Sequence, residues 1–309
     1  MNSTEMEHKT MYGWAEIEPA GLVTAGSTTS FTLTYYVGQY GIDDGGTLKV
    51  CVRFASDWGY PQFEDPEGLN YATVWSSGRG KIRYRFDLKG YIRPYQKCIV
   101  IDVEQWALAE GDVIRIVYGD QSQGSPGTVV QTFREYQFQY KVAVDCFGTG
   151  QFVELEEHPQ LEIVPDQPAE LVLIAPTQVA VGEPLSVGVK LEDQWGNPAE
   201  DACGEVLLEA EGALAGLPAC CVFTAEDRGV CRIEGARITE PGVYEPISGK
   251  RLRGSMRQSP TSTPSKAVGG ARPPVLICMI TSGSRSFTNL HVSLVNTVKG
   301  RLGDKGWRR

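Results

Sequence analysis

Apolar and polar residues alternate with period two through much of this chain. In "FTLTYYV", Phe31, Leu33, Tyr35 and Val37 fall on one face and Thr32, Thr34 and Tyr36 on the other. "IRYRFD" sets Ile82, Tyr84 and Phe86 against Arg83, Arg85 and Asp87. "YQFQYKVAV" puts Tyr136, Phe138, Tyr140, Val142 and Val144 on one side and Gln137, Gln139 and Lys141 on the other. Strict alternation predicts antiparallel strands with one face on a core and the other in water. Turn-forming clusters separate the runs: "YGIDDGG", "FEDPEG", "DLKG" and "YGDQSQGSPG". No long apolar stripe of helical period interrupts them, so the fold class is all-β.

The stretch over 12–165 holds too many long strands for one minimal immunoglobulin unit. The expected organisation is a disordered stretch over 1–11, a larger antiparallel β-sandwich over 12–165, and an immunoglobulin-like β-sandwich over 166–245. In the second sandwich the turn "DQWGNP" has a mechanism. Asp193 bonds the backbone just after it, Gly196 or Asn197 takes positive φ, and Pro198 ends the pairing. A final strand is due after "EPGVY", where the chain instead meets Pro246, which cannot donate to a central ladder. The apolar pieces "VLICMI" and "LHVSLVNTV" are the available substitutes; without one of them the sandwich keeps an open edge.

Charge changes at the same place. The 309 residues carry a net charge of -9, but residues 1–245 hold 17 Lys/Arg and 37 Asp/Glu, against 12 and 1 in residues 246–309. The step reads as a reading-frame change or a fusion, and the basic, Ser/Pro-rich stretch 246–309 as a low-order tail. An acidic body repels polyanions, so neither nucleic acid nor a membrane surface is an expected partner. With 41% hydrophobic and 22% charged residues the composition is that of a globular protein. The N-terminus lacks the apolar core of a secretory signal, and a cytoplasmic location is the expectation. That compartment argues against disulfides among the eight cysteines, none of which forms a Cys-x-x-Cys pair.

Several stretches, in order, resemble the bacterial domain-of-unknown-function family 3604. They are "YGWAEIEPAGLVTAGSTTSFTLTYYVGQYGIDDGG", "RFASDWGYPQF", "KGYIRPYQKCIVIDV", "YGDQSQGSPGTVVQTF", "VDCFGTGQFVEL" and "EDQWGNPAE", together spanning roughly residues 12–244. The resemblance implies two N-terminal β domains followed by a metal-dependent hydrolase domain of the polymerase-and-histidinol-phosphatase type, which opens on a Gly-Asp-Leu-His-type stretch. This chain contains no Gly-Asp-x-His and only three histidines, His8, His158 and His291. A multinuclear site needs several imidazoles held together. The expected function is therefore a docking or substrate-presenting β region, truncated before the family's catalytic part.

Three chemistries compete beside that reading. Oxygen-rich loops offer Asp43, Asp44, Asp57, Asp65 and Asp120 as ligands for Ca²⁺, which takes 6–8 oxygens. Such an ion would support hydrolysis of a small ester or lactone through Asp43, Asp44 and Asp120. The plainer reading is that Asp and Gly build turns. Aromatic residues on loops, Trp58, Tyr60, Phe63, Tyr91 and Tyr95, with Arg93 among them, suit a surface for a glycan or a partner domain; alternatively they pack as a mini-core over the sandwich. Without its partner such a surface favours self-association. A zinc cluster of Cys203, Cys220, Cys221 and Cys231 has irregular spacing, and core thiols are the simpler expectation. Ser122 and Ser125 lack a nucleophile-elbow context, "ELEEH" reads as a solvated strand, and no nucleotide cofactor is expected.

Overall fold

The computed structural model describes residues 3–176, 178–210, 214–241, 275–281 and 291–295. They divide into two compact units, Met1–Val164 and Pro165–Arg309, and both are built of β-strands.

The first unit packs two principal sheets over one core. One sheet has the order β1 (Trp14–Glu18), β4 (Phe31–Tyr36), β9 (Val113–Tyr118), β6 (Ala72–Ser76). The other runs β13 (Val153–Glu154), β12 (Lys141–Asp145), β5 (Thr47–Val52), β8 (Lys97–Glu104), β7 (Lys81–Asp87). A three-stranded sheet of β11 (Glu135–Gln139), β14 (Gln160–Val164) and β2 (Gly21–Thr24) and a short pair of β10 (Thr128–Val129) with β3 (Thr28–Thr29) complete it. The alternation seen in the sequence is what the core uses. Phe31, Leu33, Tyr35 and Val37 from one sheet meet Leu48, Val50, Ile99, Ile101 and Val103 from the other. The "YQFQYKVAV" run departs from a single strand. It breaks at Tyr140 into β11 and β12, which join different sheets, and a register shift between Glu135 and Phe138 leaves Tyr136 58% exposed. A bulge re-aims side chains in this way.

On the outer face of the five-stranded sheet a second, small core forms. Tyr91 and Tyr95, from the loop before β8, fold back over Cys51, Cys98 and Val100. Cys51 and Cys98 are cross-strand partners on β5 and β8, their Cα atoms are 4.1 Å apart, and the two sulfurs are joined. Cys221 and Cys231 are joined as well. The expectation of reduced cysteines is corrected here: the pairing of β5 with β8 sets Cys51 opposite Cys98, 47 positions away in the chain.

The N-terminal stretch read as disordered is also corrected, because Ser3–Tyr12 is a helix, α1. Its last carbonyls find donors in the segment after β4: Gln39 N–H donates to Thr10 O and Tyr40 N–H to Met11 O. Gly13, at φ +86°, ends it, and a Cβ there would stand 2.0 Å from the Tyr36 carbonyl oxygen, so only glycine lets the two backbones approach.

The second unit is a sandwich of two four-stranded sheets, β15 (Glu170–Ile174), β16 (Pro184–Glu192), β20 (Val230–Ile238), β18 (Leu214–Ala215) and β19 (Cys220–Phe223), β17 (Gly204–Ala210), β21 (Val275–Thr281), β22 (His291–Val295). Its core draws Leu171, Leu185, Val187, Val189 and Leu191 from the first sheet and Val206, Leu208, Cys221 and Phe223 from the second. The missing last strand is supplied by "VLICMI": β21 lies antiparallel to β17 from Glu205 opposite Thr281 to Ala210 opposite Leu276, and β22 adds beside it. The charge step at 246 and the rest of the expected low-order tail lie outside the described residues. The turn after β16 forms as expected, with Gly196 at φ +88° and Asp193 accepting from the amides of Trp195 and Asn197 at 2.9 and 2.8 Å.

Candidate functional site

The loop leaving β5 builds the most distinctive surface of the first unit. Gly59 begins the construction. Its N–H donates to the Val129 carbonyl at 2.8 Å, and a Cβ at this position would meet Asn70 Oδ1 at 2.0 Å. The close approach lets the neighbouring Trp58 drop inward, where it stacks on Phe138 at 4.6 Å and meets Tyr140 edge-on at 5.9 Å. Trp58 is therefore a core residue, 4% exposed, and its expected place on a displayed surface is corrected. A large ring that can be sandwiched between other rings gains more there than in water.

The other aromatic candidates divide. Tyr60 is displayed, 50% exposed, with the ring of Phe86 at 5.4 Å and the Lys97 ammonium 4.9 Å from its centroid. Phe63 packs edge-on against Tyr84 at 4.9 Å. Arg93 is exposed and stands 4.5 Å over the ring of Phe54, whose N–H donates to Pro94 O. Tyr95 is half-buried in the small outer core and donates its hydroxyl to Gln139 at 3.1 Å. Phe54, Phe86, Lys97, Tyr118 and Tyr140 belong to the same region, yet no local motif marks them. The one available signal was the density of aromatic residues on core-facing positions of "IRYRFD" and "YQFQYKVAV".

Three segments are tied together here. Residues 53–60 meet 92–97 through Phe54 and Pro94, and Lys97 donates to the Ser56 carbonyl. Residues 131–135 join through Thr132, whose N–H donates to Asp57 at 2.9 Å, and through the Arg53–Glu135 ion pair at 3.3 Å. Below Tyr60 the surface leads into a pocket of about 20 Å³ lined by Val50, Val52, Trp58, Ile99, Lys97 and Tyr140, among others. A larger hollow of about 350 Å³ lies between the end of α1 and the 155–157 turn, where Lys9 already covers Trp14 at 5.0 Å.

The five carboxylates considered for calcium are not brought together. Asp43 closes a turn through its backbone carbonyl to Gly46, and Asp44 accepts from Gln105 N–H at 3.0 Å. Asp57 holds Thr132, and Asp65 accepts from Glu67 N–H at 3.2 Å. Asp120 caps the turn 121–123 and accepts from Thr73 Oγ1 at 2.7 Å. Partial burial raises its pKa, but the hydrogen bonds from Thr73 and Ser122 prevail and hold it below the usual range. Among the described residues no group of three or more His, Cys, Asp or Glu side chains is placed to hold a metal ion. The conceivable four-cysteine zinc cluster is likewise divided, since Cys221 and Cys231 are joined to each other. Cys146 is buried, and burial, with Asp145 and Asp43 beside it, pushes its thiol up to about 11, which keeps it protonated and unreactive.

His158 plays a structural part, because its Nδ1 accepts from Val142 N–H at 3.3 Å. Burial, reinforced by the Lys141 charge and opposed by Glu154, lowers its pKa. A lowered folded-state pKa makes protonation oppose folding. The contribution is complete above the unfolded value near 6.5 and is lost as pH falls below it. Thermal melts at pH 7 and pH 5 should show wild type losing more stability than His158→Gln, whose amide oxygen accepts at both pH values; equal losses would contradict this role.

No protein-family model matches the chain, and no curated protein matches it in sequence. Among solved structures it is similar to a beta-glycosidase from Bacteroides vulgatus, with TM-score 0.29 and 10% identity over 92% of this chain and 24% of that one. A beta-glucuronidase from Bacteroides uniformis gives TM-score 0.23 and 11% identity over 91% of this chain and 24% of that one. The chain thus spans about a quarter of the length of these structures, and likeness at such scores carries no argument about activity.

Proposed function

We propose that this chain is a recognition region, the β portion of a metal-dependent hydrolase-like protein, which docks a partner domain or presents substrate to it. The observation that supports this is the set of large apolar side chains left in water on the three tied segments: Phe54, Tyr60, Ile92 and Phe133 are 40–63% exposed, and Tyr136, directly after the third segment, is 58% exposed. Large side chains held exposed on interlocked segments mark interaction surfaces. Aromatic and arginine side chains are the types on which interface energy concentrates, and Arg93 over Phe54 adds one such pair.

The test mixes the full chain with a separately produced hydrolase domain of the polymerase-and-histidinol-phosphatase type from a full-length family 3604 protein. Light scattering and calorimetry should show a one-to-one complex. A Phe54→Ser, Tyr60→Ser double variant should bind about tenfold or more weakly, as expected when central aromatic anchors are lost. No complex with wild type would overturn the docking reading. Retardation by polysaccharide gels in its place would reassign the surface to carbohydrate binding.

A further inference from the structure

The larger hollow of the first unit, between the end of α1 and the 155–157 turn, has the volume of a small-molecule site, about 350 Å³. Lys9, Trp14, Leu155, Glu156 and Glu157 line it, among others. Trp14 is its fixed wall. Trp14 and Tyr36 are cross-strand partners on β1 and β4, and their rings stack at 4.0 Å and 12°. The Tyr36 hydroxyl donates to Glu16 Oε1 at 2.6 Å, which holds the stack in place. Tyr36 thus takes one face of the indole. The chain's own ammonium, that of Lys9, stands over the other, 5.0 Å from the ring centroid.

The lining selects a guest by the sign of its charge. An indole face attracts a cation that comes within about 6 Å of the ring centre. Glu156 and Glu157 are exposed to the same hollow, and the ion pairs of the described residues use neither of them. A carboxylate accepts hydrogen bonds and gives none, so both suit an ammonium. The C-terminal end of a helix is partly negative as well, and α1 ends here, where Gly13 N–H donates to Lys9 O at 3.0 Å. The field of the whole region has the same sign, since residues 1–245 hold 17 Lys/Arg against 37 Asp/Glu. Lys9 itself demonstrates that an alkylammonium fits over the indole. Its side chain is half-exposed and makes no ion pair among the described residues, so moving it into water gives up little besides the contact with Trp14.

We infer that this hollow binds a small organic cation of the alkylammonium class. The charged head of the guest takes the place over Trp14 that Lys9 holds, and Glu156 and Glu157 supply the counter-charge. Lys9 is then a built-in competitor, which weakens the guest by occupying its seat and by repelling its charge. The site shares no residue with the proposed docking surface, so either reading can fail while the other stands.

Trp14 reports on its own site. In the ¹⁵N-labelled full chain its indole N–H resonance is identified as the one missing from Trp14→Phe. Choline should shift that resonance saturably. The alcohol in which a tert-butyl group replaces the trimethylammonium has the same shape and no charge, and it should bind about tenfold or more weakly, equivalent to roughly 1.4 kcal/mol. Lys9→Met should tighten choline about fivefold, the worth of one cation–π contact set free. Glu156→Gln combined with Glu157→Gln should weaken choline by a similar factor and leave the neutral alcohol unchanged. The titrations of wild type need no variant to fold. An unmoved resonance, an equal response to the neutral alcohol, or an equal response to sodium chloride at the same ionic strength would each overturn the inference. So would a Lys9→Met chain that holds choline no better than wild type, because Lys9 would then occupy no place that the guest needs.

Discussion

Asp193→Ala should destabilise the second unit by about 3–4 kcal/mol, among the largest effects of any single polar substitution in the chain. Asp193 is 0% exposed, and its two oxygens receive four hydrogen bonds. Oδ1 accepts from the amides of Trp195 and Asn197, and Oδ2 from the Asn197 side chain and from Asp166 N–H at 3.0 Å. Hydrogen bonds to a charged group contribute about 1.5–3 kcal/mol each, though bonds sharing one acceptor do not add in full. Removing the carboxylate strands three backbone amides, and the turn that returns the chain from β16 to the Glu192–Pro198 bridge loses its organising centre. Asp193→Asn should fall between the two. It keeps one oxygen, but its amide nitrogen then faces donors where Oδ2 stood. Urea melts give the stability change, and amide exchange at Trp195 and Asn197 gives the local one. A loss under about 1 kcal/mol with unchanged protection at those amides would show that water replaces the carboxylate and that the turn is held by other means.

Reduction of the Cys51–Cys98 bond should cost the first unit about 4 kcal/mol as an upper figure, from the chain-entropy argument for a loop of 47 residues. The 10-residue loop of Cys221–Cys231 should cost less, about 3 kcal/mol, because loop-closure entropy grows with the logarithm of length. The joined sulfurs of the larger loop lie under Tyr91 and Tyr95, whose hydroxyls are anchored on Glu154 and Gln139 at 3.1 Å. Tyr91 in turn has its phenol pushed up to about 12, by burial first and by Glu154 second, so this cover stays neutral at any ordinary pH. Cys51 and Cys98 should resist alkylation in denaturant until a reductant is added, and exchange of the β5 and β8 amides should quicken afterwards. Ready alkylation of both without reductant would show that no such bond exists. The expectation of free thiols would then stand again.

Much of the fold was legible because a strand with one wet face writes its orientation into alternate residues. Phe31, Leu33, Tyr35 and Val37 needed no partner to declare their side, and all four are buried. The turn at Asp193 was legible for a similar reason, since an Asx turn is made by residues within five positions of each other. The helix over Ser3–Tyr12 was not, because it is short and depends on Gln39 and Tyr40 to receive its final carbonyls. The aromatic loops were legible in composition and not in the direction their rings take. Tyr60 and Arg93 are displayed and Trp58 is not, and nothing within "SDWGYPQF" distinguishes a ring that turns inward from one that turns outward.

What the amino-acid sequence determined by itself is the all-β class, the faces of its strands, and the turns that Asp, Gly and Pro impose, all of which are local in the chain. What only the tertiary structure decided is which strands pair and what they carry into register. That pairing sets Cys51 opposite Cys98, parts five carboxylates that loop composition had grouped, and gathers Trp58, Lys97, Tyr118 and Tyr140 around one small pocket. The physical reason is that side-chain polarity acts at each residue separately. A pocket or a bond across strands depends on hydrogen-bonded registers between segments far apart in the chain, and no short stretch of sequence contains those.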